Sequence, residues 1–164
     1  MVAREKTFLK IHTECMFKRH MPEILSIERE DSEHFWKEKD FVRFLRSNSC
    51  LGRIVMIGDK VVGYAIYRRY AKRLHLFNLV VASACRRKGI GTQLISSLLA
   101  ANFCDDECVT ITLNIKSSNL GGQLFCKAME FEAANVLRGF YGDEDAYRFV
   151  YFRDPVVYLQ SVGV

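Results

Sequence analysis

Proline is scarce in this chain, with only Pro22 and Pro155 among 164 residues, so no proline-rich linker divides it. No internal repeat recurs and no Gly/Ser-rich stretch marks a boundary, which excludes solenoid, collagen-like and low-complexity architectures. No apolar run approaches the roughly 18 to 20 residues that span a bilayer, and Met1 to Lys6 leads into no signal-type apolar block. A soluble, cytoplasmic protein without a membrane partner is expected. Cysteine is present but unpatterned: Cys15, Cys50, Cys85, Cys104, Cys108 and Cys126 include no CxxC pair and no histidine at zinc-finger spacing. Cys104 and Cys108 lie four apart, but Asp105, Asp106 and Glu107 between them read as a loop. Free thiols and no metal are the expectation.

Neither sign of charge dominates. Lys plus Arg outnumber Asp plus Glu by 24 to 19, giving a net charge of +5, which favours anionic partners mildly and does not establish nucleic acid as a primary one. What the chain has in quantity is ordinary core material: 49% hydrophobic and 12% aromatic residues, enough for one sizeable core in a single domain spanning 1–164.

The periodicities predict a short strand over residues 7–12 and a helix over 21–30 that opens near Pro22, then a second short helix over 38–46. Residues 53–57 and 61–68 are apolar runs joined by Gly58-Asp59-Lys60, a β-hairpin. A central strand is predicted over 74–81 and a helix over 91–103, where Leu94, Ile95, Leu98 and Leu99 recur at helical spacing. A strand over 109–115, a helix over 120–129 and strands over 131–137 and 147–152 complete the chain. A hairpin followed by β-α-β-α-β-β implies an α+β fold: a mixed, largely antiparallel twisted sheet of about seven strands with about four helices.

Between the strand ending at Val81 and the helix starting near Gly91 runs Arg86-Arg87-Lys88-Gly89-Ile90-Gly91-Thr92. Glycines let backbone N–H groups approach an anion, the helix N-terminus carries partial positive charge, and three basic side chains add to it. That combination suits a pyrophosphate, although basic residues beside glycine also make ordinary solvated turns. It is no Walker loop, since no Gly-Lys-Ser/Thr follows the spacer, and with one G-x-G behind an antiparallel hairpin it is no Rossmann fingerprint.

Leu76-Phe77-Asn78-Leu79-Val80-Val81 followed by Arg86-x-x-Gly89-x-Gly91 resembles motif A of the GNAT superfamily of acetyl-CoA-dependent N-acetyltransferases. Ile27-Glu28, Trp36, Phe77-Asn78, Ser118-Asn119, Phe140-Tyr141 and Glu144-Asp145-Ala146 are most similar to the RimI-type N-terminal acetyltransferases. The likeness runs in order through about residues 7–153 and leaves a short tail, 154–164, without a motif. It implies a single GNAT domain whose fourth and fifth strands splay apart to receive acetyl-CoA, with no metal.

Under that resemblance the backbones of Leu79 and Val81 pair with the pantetheine arm, and the N–H of Val80 or a close neighbour polarises the thioester carbonyl. Arg86, Arg87, Lys88, Gly89, Ile90 and Gly91 hold the pyrophosphate, Thr92 adds a hydroxyl, and Asn119 bonds the pantetheine arm. Asn119 is equally an ordinary helix N-cap. Glu28 matches the acidic position where the family receives the substrate N-terminus, and Tyr141 the hydroxyl that contacts its backbone. The implied acceptor is a protein or peptide N-terminus, ribosomal proteins among the candidates, and the implied assembly a monomer or homodimer.

The chain departs from the family where protons move. The glutamate base and tyrosine acid of RimI-type enzymes fall on Asn114 and Cys126. An amide does not take up a proton at neutral pH, and a thiol with a pKa near 8.5 is a weak donor. An α-amine of pKa about 8 is roughly one-tenth neutral at pH 7, whereas a lysine near 10.4 is neutral in fewer than about one molecule in a thousand. Lysine acceptors are therefore disfavoured. Period two puts His75 on one strand face with Phe77, Leu79 and Val81, and the resemblance makes His75 plus Asn114 a candidate pair for a water relay. Three other functions remain at this stage: acetylation of a small amine, which needs an acidic pocket; a non-catalytic acyl-CoA-binding module; and RNA contact through Arg68-Arg69, Lys72-Arg73 and Arg86-Arg87-Lys88.

Overall fold

A computed structural model describes residues 10–30, 36–102 and 110–153. Along the chain run β1 (Ile11–Cys15), α1 (Met21–Arg29), α2 (Glu38–Leu45), β2 (Cys50–Ile57), β3 (Lys60–Arg69), β4 (Arg73–Val81) and α3 (Ile90–Asn102). There follow β5 (Thr110–Lys116), α4 (Leu120–Ala128), β6 (Glu132–Leu137) and β7 (Ala146–Phe152). One seven-stranded sheet joins them in the order β1-β2-β3-β4-β5-β7-β6, antiparallel everywhere except β4 against β5. That single parallel pair follows from α3, which carries the chain back across the sheet before β5 begins.

Each element has a local cause. Pro22 sits in the first turn of α1, where its missing N–H costs nothing. Asn119 caps α4, its Oδ1 accepting the Gly122 N–H at 2.9 Å. The first strand lies further along than the apolar pattern suggests. It runs on to Cys15 because an edge strand takes its limits from its partner, and β2 pairs it from Ile11↔Ile57 to Cys15↔Arg53. Residues 7–9 lie outside the described residues, as do Cys104, Cys108 and the tail 154–164.

β3 is buried on both faces from Val61 to Tyr67, the signature of a central strand covered on each side. On one side α3 and α4 enclose Leu74, Leu76, Leu94, Leu98, Ile111 and Phe131. On the other, α1 and α2 close over Ile24, Ile27, Phe41, Ile54, Tyr64 and Val80. Towards β5, β7 and β6, that second face carries Thr112, Asn114 and Arg148.

β4 does not alternate strictly. Ile66 pairs with Asn78 and Tyr67 with Leu76, so Phe77 is an extra residue, a β-bulge. Leu74 and Leu76 face α3, and beyond the bulge Leu79 and Val81 do so again, while Val80 faces α1. The expectation that His75, Phe77, Leu79 and Val81 share one face is thus corrected. His75 and Phe77 lie on the α1/α2 face, and the bulge turns Leu79 and Val81 to the other. Period two fails here because one inserted residue inverts every side chain after it.

Candidate active site

The bulge also sets the shape of a cleft. β4 and β5 stay in register only from Arg73↔Thr110 to Leu76↔Leu113. Past Phe77 the two strands part, although β4 remains paired with β3 through Gly63↔Val81. The β5-facing edge of residues 77–81 therefore presents backbone groups that need a partner. Leu79 and Val81 turn their backbone to this edge, whereas the Val80 backbone faces Tyr64 on β3, so the expected contact of its N–H with the thioester is corrected in favour of a neighbour.

At the mouth of the cleft the loop before α3 is wound to receive an anion. Arg87 has φ 60° and Gly89 φ 80°, two left-handed residues around Lys88, which turn neighbouring N–H groups into a concavity. A Cβ on Gly89 would meet nothing within 4 Å, so the space above it is open. Gly91 has a different reason to be glycine: a Cβ there would lie 3.1 Å from the Phe125 ring, so it lets α3 pack on α4. The Lys88 Nζ donates to the Ala84 carbonyl at 2.8 Å and the Arg86 Nε to the Val81 carbonyl at 3.0 Å, tying the loop to the end of β4. Ile90 buries its side chain and contributes only backbone, while Thr92 is exposed in the first turn of α3. Asn119 uses its oxygen as the α4 cap, at the foot of β5.

On the acceptor side, His75 lies opposite Thr112, not Asn114. Its Nδ1 is 2.8 Å from the Thr112 Oγ1, and that hydroxyl reaches the Leu74 carbonyl at 3.5 Å, the limit of a hydrogen bond. If Thr112 donates to Leu74, it accepts from Nδ1–H, and Nε2 is left with a lone pair. Burial first, then the charges of Arg148 and Arg73, hold the imidazole pKa down to about 4. Phe77 meets the His75 ring edge-on at 4.7 Å, and Phe44 meets Phe77 at 4.8 Å. The imidazole is therefore neutral and oriented, walled by aromatics, and a weak base.

Asn114 lies two residues further along β5 on the same face. Its Oδ1 accepts from the Arg148 Nε at 3.1 Å, and its backbone carbonyl accepts from the Tyr141 hydroxyl at 3.3 Å. Tyr141 is held above its ordinary pKa by burial, with the Glu144 charge adding to it. Cys126 is separated from these groups. It is 2% exposed in the core on the α3/α4 side, where burial pushes its thiol up to about 12. That environment suits a small core side chain and not a donor to the cleft.

Glu28 stands beneath the acceptor surface. It is 4% exposed, and its carboxylate accepts from the Trp36 N–H at 3.0 Å, from the Tyr64 hydroxyl, and from the Asn78 Nδ2 at 3.3 and 3.4 Å. The carboxylate thus ties the end of α1 to the bulged part of β4. Other acids are equally committed. Glu144 takes the Ser118 N–H at 2.8 Å, Asp145 the Gly139 N–H at 2.8 Å and Arg138 at 2.6 Å, and Glu30 the Ser83 N–H at 2.8 Å. Asp31 and Glu33 lie outside the described residues.

Sequence reasoning missed Thr112 and Arg148. Thr112 was detectable as the residue two before Asn114 on a strand. Arg148 was detectable as a lone cation in the otherwise apolar run of β7, Ala-Tyr-Arg-Phe-Val-Tyr-Phe.

A parallel pair forced open by a bulge, with an anion-receiving loop at its mouth, defines a protein that holds an extended phosphorylated ligand between two strands. Residues 19–131 match the acetyltransferase (GNAT) family, and the chain belongs to that family. Its reaction is acetyl transfer from acetyl-CoA. Over 120 residues the chain is 27% identical to an N-alpha-acetyltransferase of Saccharolobus solfataricus, covering 65% of this chain and 72% of that one. Over 135 residues it is 26% identical to the [ribosomal protein bS18]-alanine N-acetyltransferase of Salmonella typhimurium, covering 77% and 86%. The fold superposes on the ribosomal-protein-S18-alanine N-acetyltransferase of Escherichia coli with a TM-score of 0.78 at 21% identity, covering 87% and 94%. It superposes on Arabidopsis thaliana NAA60 in complex with acetyl-CoA with a TM-score of 0.77 at 18% identity, covering 87% and 99%.

Proposed function

We propose that the chain acetylates the α-amino group of a protein or peptide N-terminus by direct attack in a ternary complex. The observation that carries this reading is the neutral His75, oriented by Thr112 and flanked by arginines, with Glu28 and Glu144 taken up by bonds within the protein. An amine that is already partly neutral can use such a base, and an ammonium-rich small molecule finds no acidic pocket there. The names of the relatives, an N-alpha-acetyltransferase and a ribosomal-protein-alanine acetyltransferase, support the same class of acceptor.

The residues present fit acetyl-CoA: the splayed strands match an extended amide-bearing arm, and the open left-handed loop matches a pyrophosphate. Residues 86–92 would hold the phosphates and the cleft-facing backbone of Leu79 and Val81 the arm, with Asn119 beside it, while the Val80 backbone stays paired with β3. The co-substrate supplies the acetyl group. His75 takes the proton of the attacking amine at Nε2, with Thr112 fixing the ring; the new C–N bond replaces the C–S bond, and the departing CoA thiolate takes up that proton from the imidazolium or from water. Asn114 orients Arg148 and receives the Tyr141 hydroxyl, which sets the β6–β7 loop against the peptide. Cys126 serves the core, and Glu28 positions β4 from behind.

The reading takes the protein to be cytoplasmic, with ribosomal proteins among its acceptors; no helix among the described residues is long and apolar enough to cross a membrane. The test compares initial rates on peptides with free N-termini and on spermine, products being identified by mass. Acetylated peptide with spermine untouched is expected. Acetylated spermine alone would replace this reading with a small-amine acetyltransferase, and acetyl-CoA binding without any product would indicate a binding module.

A further inference from the structure

Resting on the proposed α-amine reading, the geometry points to acceptors that carry an acidic side chain at the second or third residue, and we infer that Arg148 is the residue that selects them.

The argument starts from the row of side chains on the acceptor face. Arg68 on β3 is in register with His75 on β4, His75 with Thr112 on β5, and Asn114 on β5 with Arg148 on β7. His75, where the amine would give up its proton, thus lies between two cations. Arg68 stacks over Phe44 and Phe77 at 5.5 and 5.8 Å from the ring centres, and its Nε is taken by the Cys50 sulfur at 3.1 Å. Arg148 is held differently. Its Nε donates to the Asn114 side chain, which fixes the guanidinium plane, and its two terminal nitrogens have no protein acceptor among the described residues. A guanidinium with a tethered Nε and open terminal donors is the arrangement that grips a carboxylate through two parallel hydrogen bonds.

Spacing sets the position. Arg148 lies two strands across and two residues along from His75. With about 4.8 Å between strands and about 3.3 Å per residue, the backbone separation is on the order of 12 Å. Extended peptide covers that in roughly three to four residues, and the length of the arginine shortens the need to about two or three. Tyr141, whose hydroxyl lies on the Asn114 carbonyl beside Arg148, borders the same track, and the Lys116 ammonium sits 5.4 Å over its ring. The carboxylate on the neighbouring strand, Glu132, stands at the register position of Val150 and makes no ion pair with Arg148. Glu144 and Asp145 are bonded to backbone and Glu28 is buried, while Asp143 is exposed in the β6–β7 loop. A peptide with lysine or arginine early in its sequence would bring a third cation to this row, and an acidic one would neutralise it.

The experiment measures kcat/KM by acetyl-CoA consumption on three peptide sets with identical free N-termini. They carry Asp/Glu, Asn/Gln or Lys at positions two and three. The wild-type protein is expected to use the acidic set at least about tenfold better than the amide set, the size of one charge-assisted contact, and the lysine set least. In Arg148→Gln that ratio falls to near one, Arg148→Lys retains part of it, and Arg148→Glu reverses the order in favour of lysine. Reversal is a result that a merely structural arginine does not give, and acetyl-CoA binding by calorimetry shows that each variant is folded. Equal use of acidic and amide peptides by the wild type, or a preference that survives Arg148→Gln, overturns the inference while leaving α-amine acetylation standing. Failure to acetylate any of the α-amines overturns both.

Discussion

A histidine with a pKa near 4 is neutral across the whole physiological range but a weak base, so it serves only an amine that has already lost its ammonium proton, as a fraction of α-amines has near pH 7. His75→Ala is expected to lower kcat at least about tenfold, less than the roughly hundredfold or more typical of general bases because the ring is a weak base, with acetyl-CoA affinity unchanged in calorimetry. Unchanged turnover would remove His75 from the mechanism. The sign of the pH dependence follows from the direction of its shift. Lowered from 6.5 to about 4, the imidazole charges only as pH falls through about 4. The acid limb of the rate should therefore show no inflection near 6.5, and between pH 6 and 8 the rate should climb with the neutral fraction of the acceptor. An inflection near 6.5 that vanishes in His75→Ala would mean that the ring is more exposed in action than in this structure. Tyr141 has a smaller task. Loss of its hydroxyl in Tyr141→Phe removes one hydrogen bond to the Asn114 carbonyl, and a rise in peptide KM of about fivefold, near 1 kcal/mol, is expected. An unaltered KM would take away its part in acceptor binding. At this scale the sequence was only partly legible. The candidates His75, Asn114 and Tyr141 were visible as residue types in strands, but Thr112 acts on His75 through a pairing between strands 37 residues apart, which no local pattern encodes.

Two glycines of one loop separate ligand binding from packing at the scale of the element. Gly89 has φ 80° and open space above it, so Gly89→Ala strains the backbone by about 1 kcal/mol without a clash, and should weaken acetyl-CoA binding more than it lowers the melting temperature. Gly91 contacts the Phe125 ring, so Gly91→Ala should do the reverse, costing stability through the α3–α4 contact. Isothermal calorimetry beside thermal melting distinguishes them, and equal effects on both readouts would merge the two roles. The elements themselves were readable because helices and strands announce themselves by period. The helix behind Gly91 and the last two strands fall within a residue of their predicted limits, and the hairpin around Gly58 is placed correctly although its first strand begins three residues earlier, at Cys50. The bulge at Phe77 was not readable. Nothing in Leu-His-Leu-Phe-Asn-Leu-Val-Val marks an extra residue, and yet it inverts the faces of β4, brings Asn78 onto Glu28 and Tyr64, and opens the cleft.

Across the whole molecule, division of labour follows the two faces of one sheet. α3 and α4 close the core that carries Cys126, and α1 and α2 close the other core, leaving the β5–β7 part of that face, where we place the acceptor, uncovered by them. Family membership rested on the loop after β4 and its spacing from Val81, features contiguous in sequence and therefore legible. Chemistry at the acceptor rested on contacts between β4, β5 and β7, assembled only by folding. Glu28 looks in sequence like a substrate contact, and in the fold its carboxylate is buried and bonded to Trp36, Tyr64 and Asn78. The most direct test uses one peptide bearing a free N-terminus and an internal lysine, incubated with the protein and acetyl-CoA, the product being mapped by tandem mass spectrometry. A single acetyl group on the α-amine, absent when the N-terminus is blocked, is the predicted result. Acetylation of the lysine side chain at a comparable rate would contradict the account, because it would require a stronger base than His75 supplies.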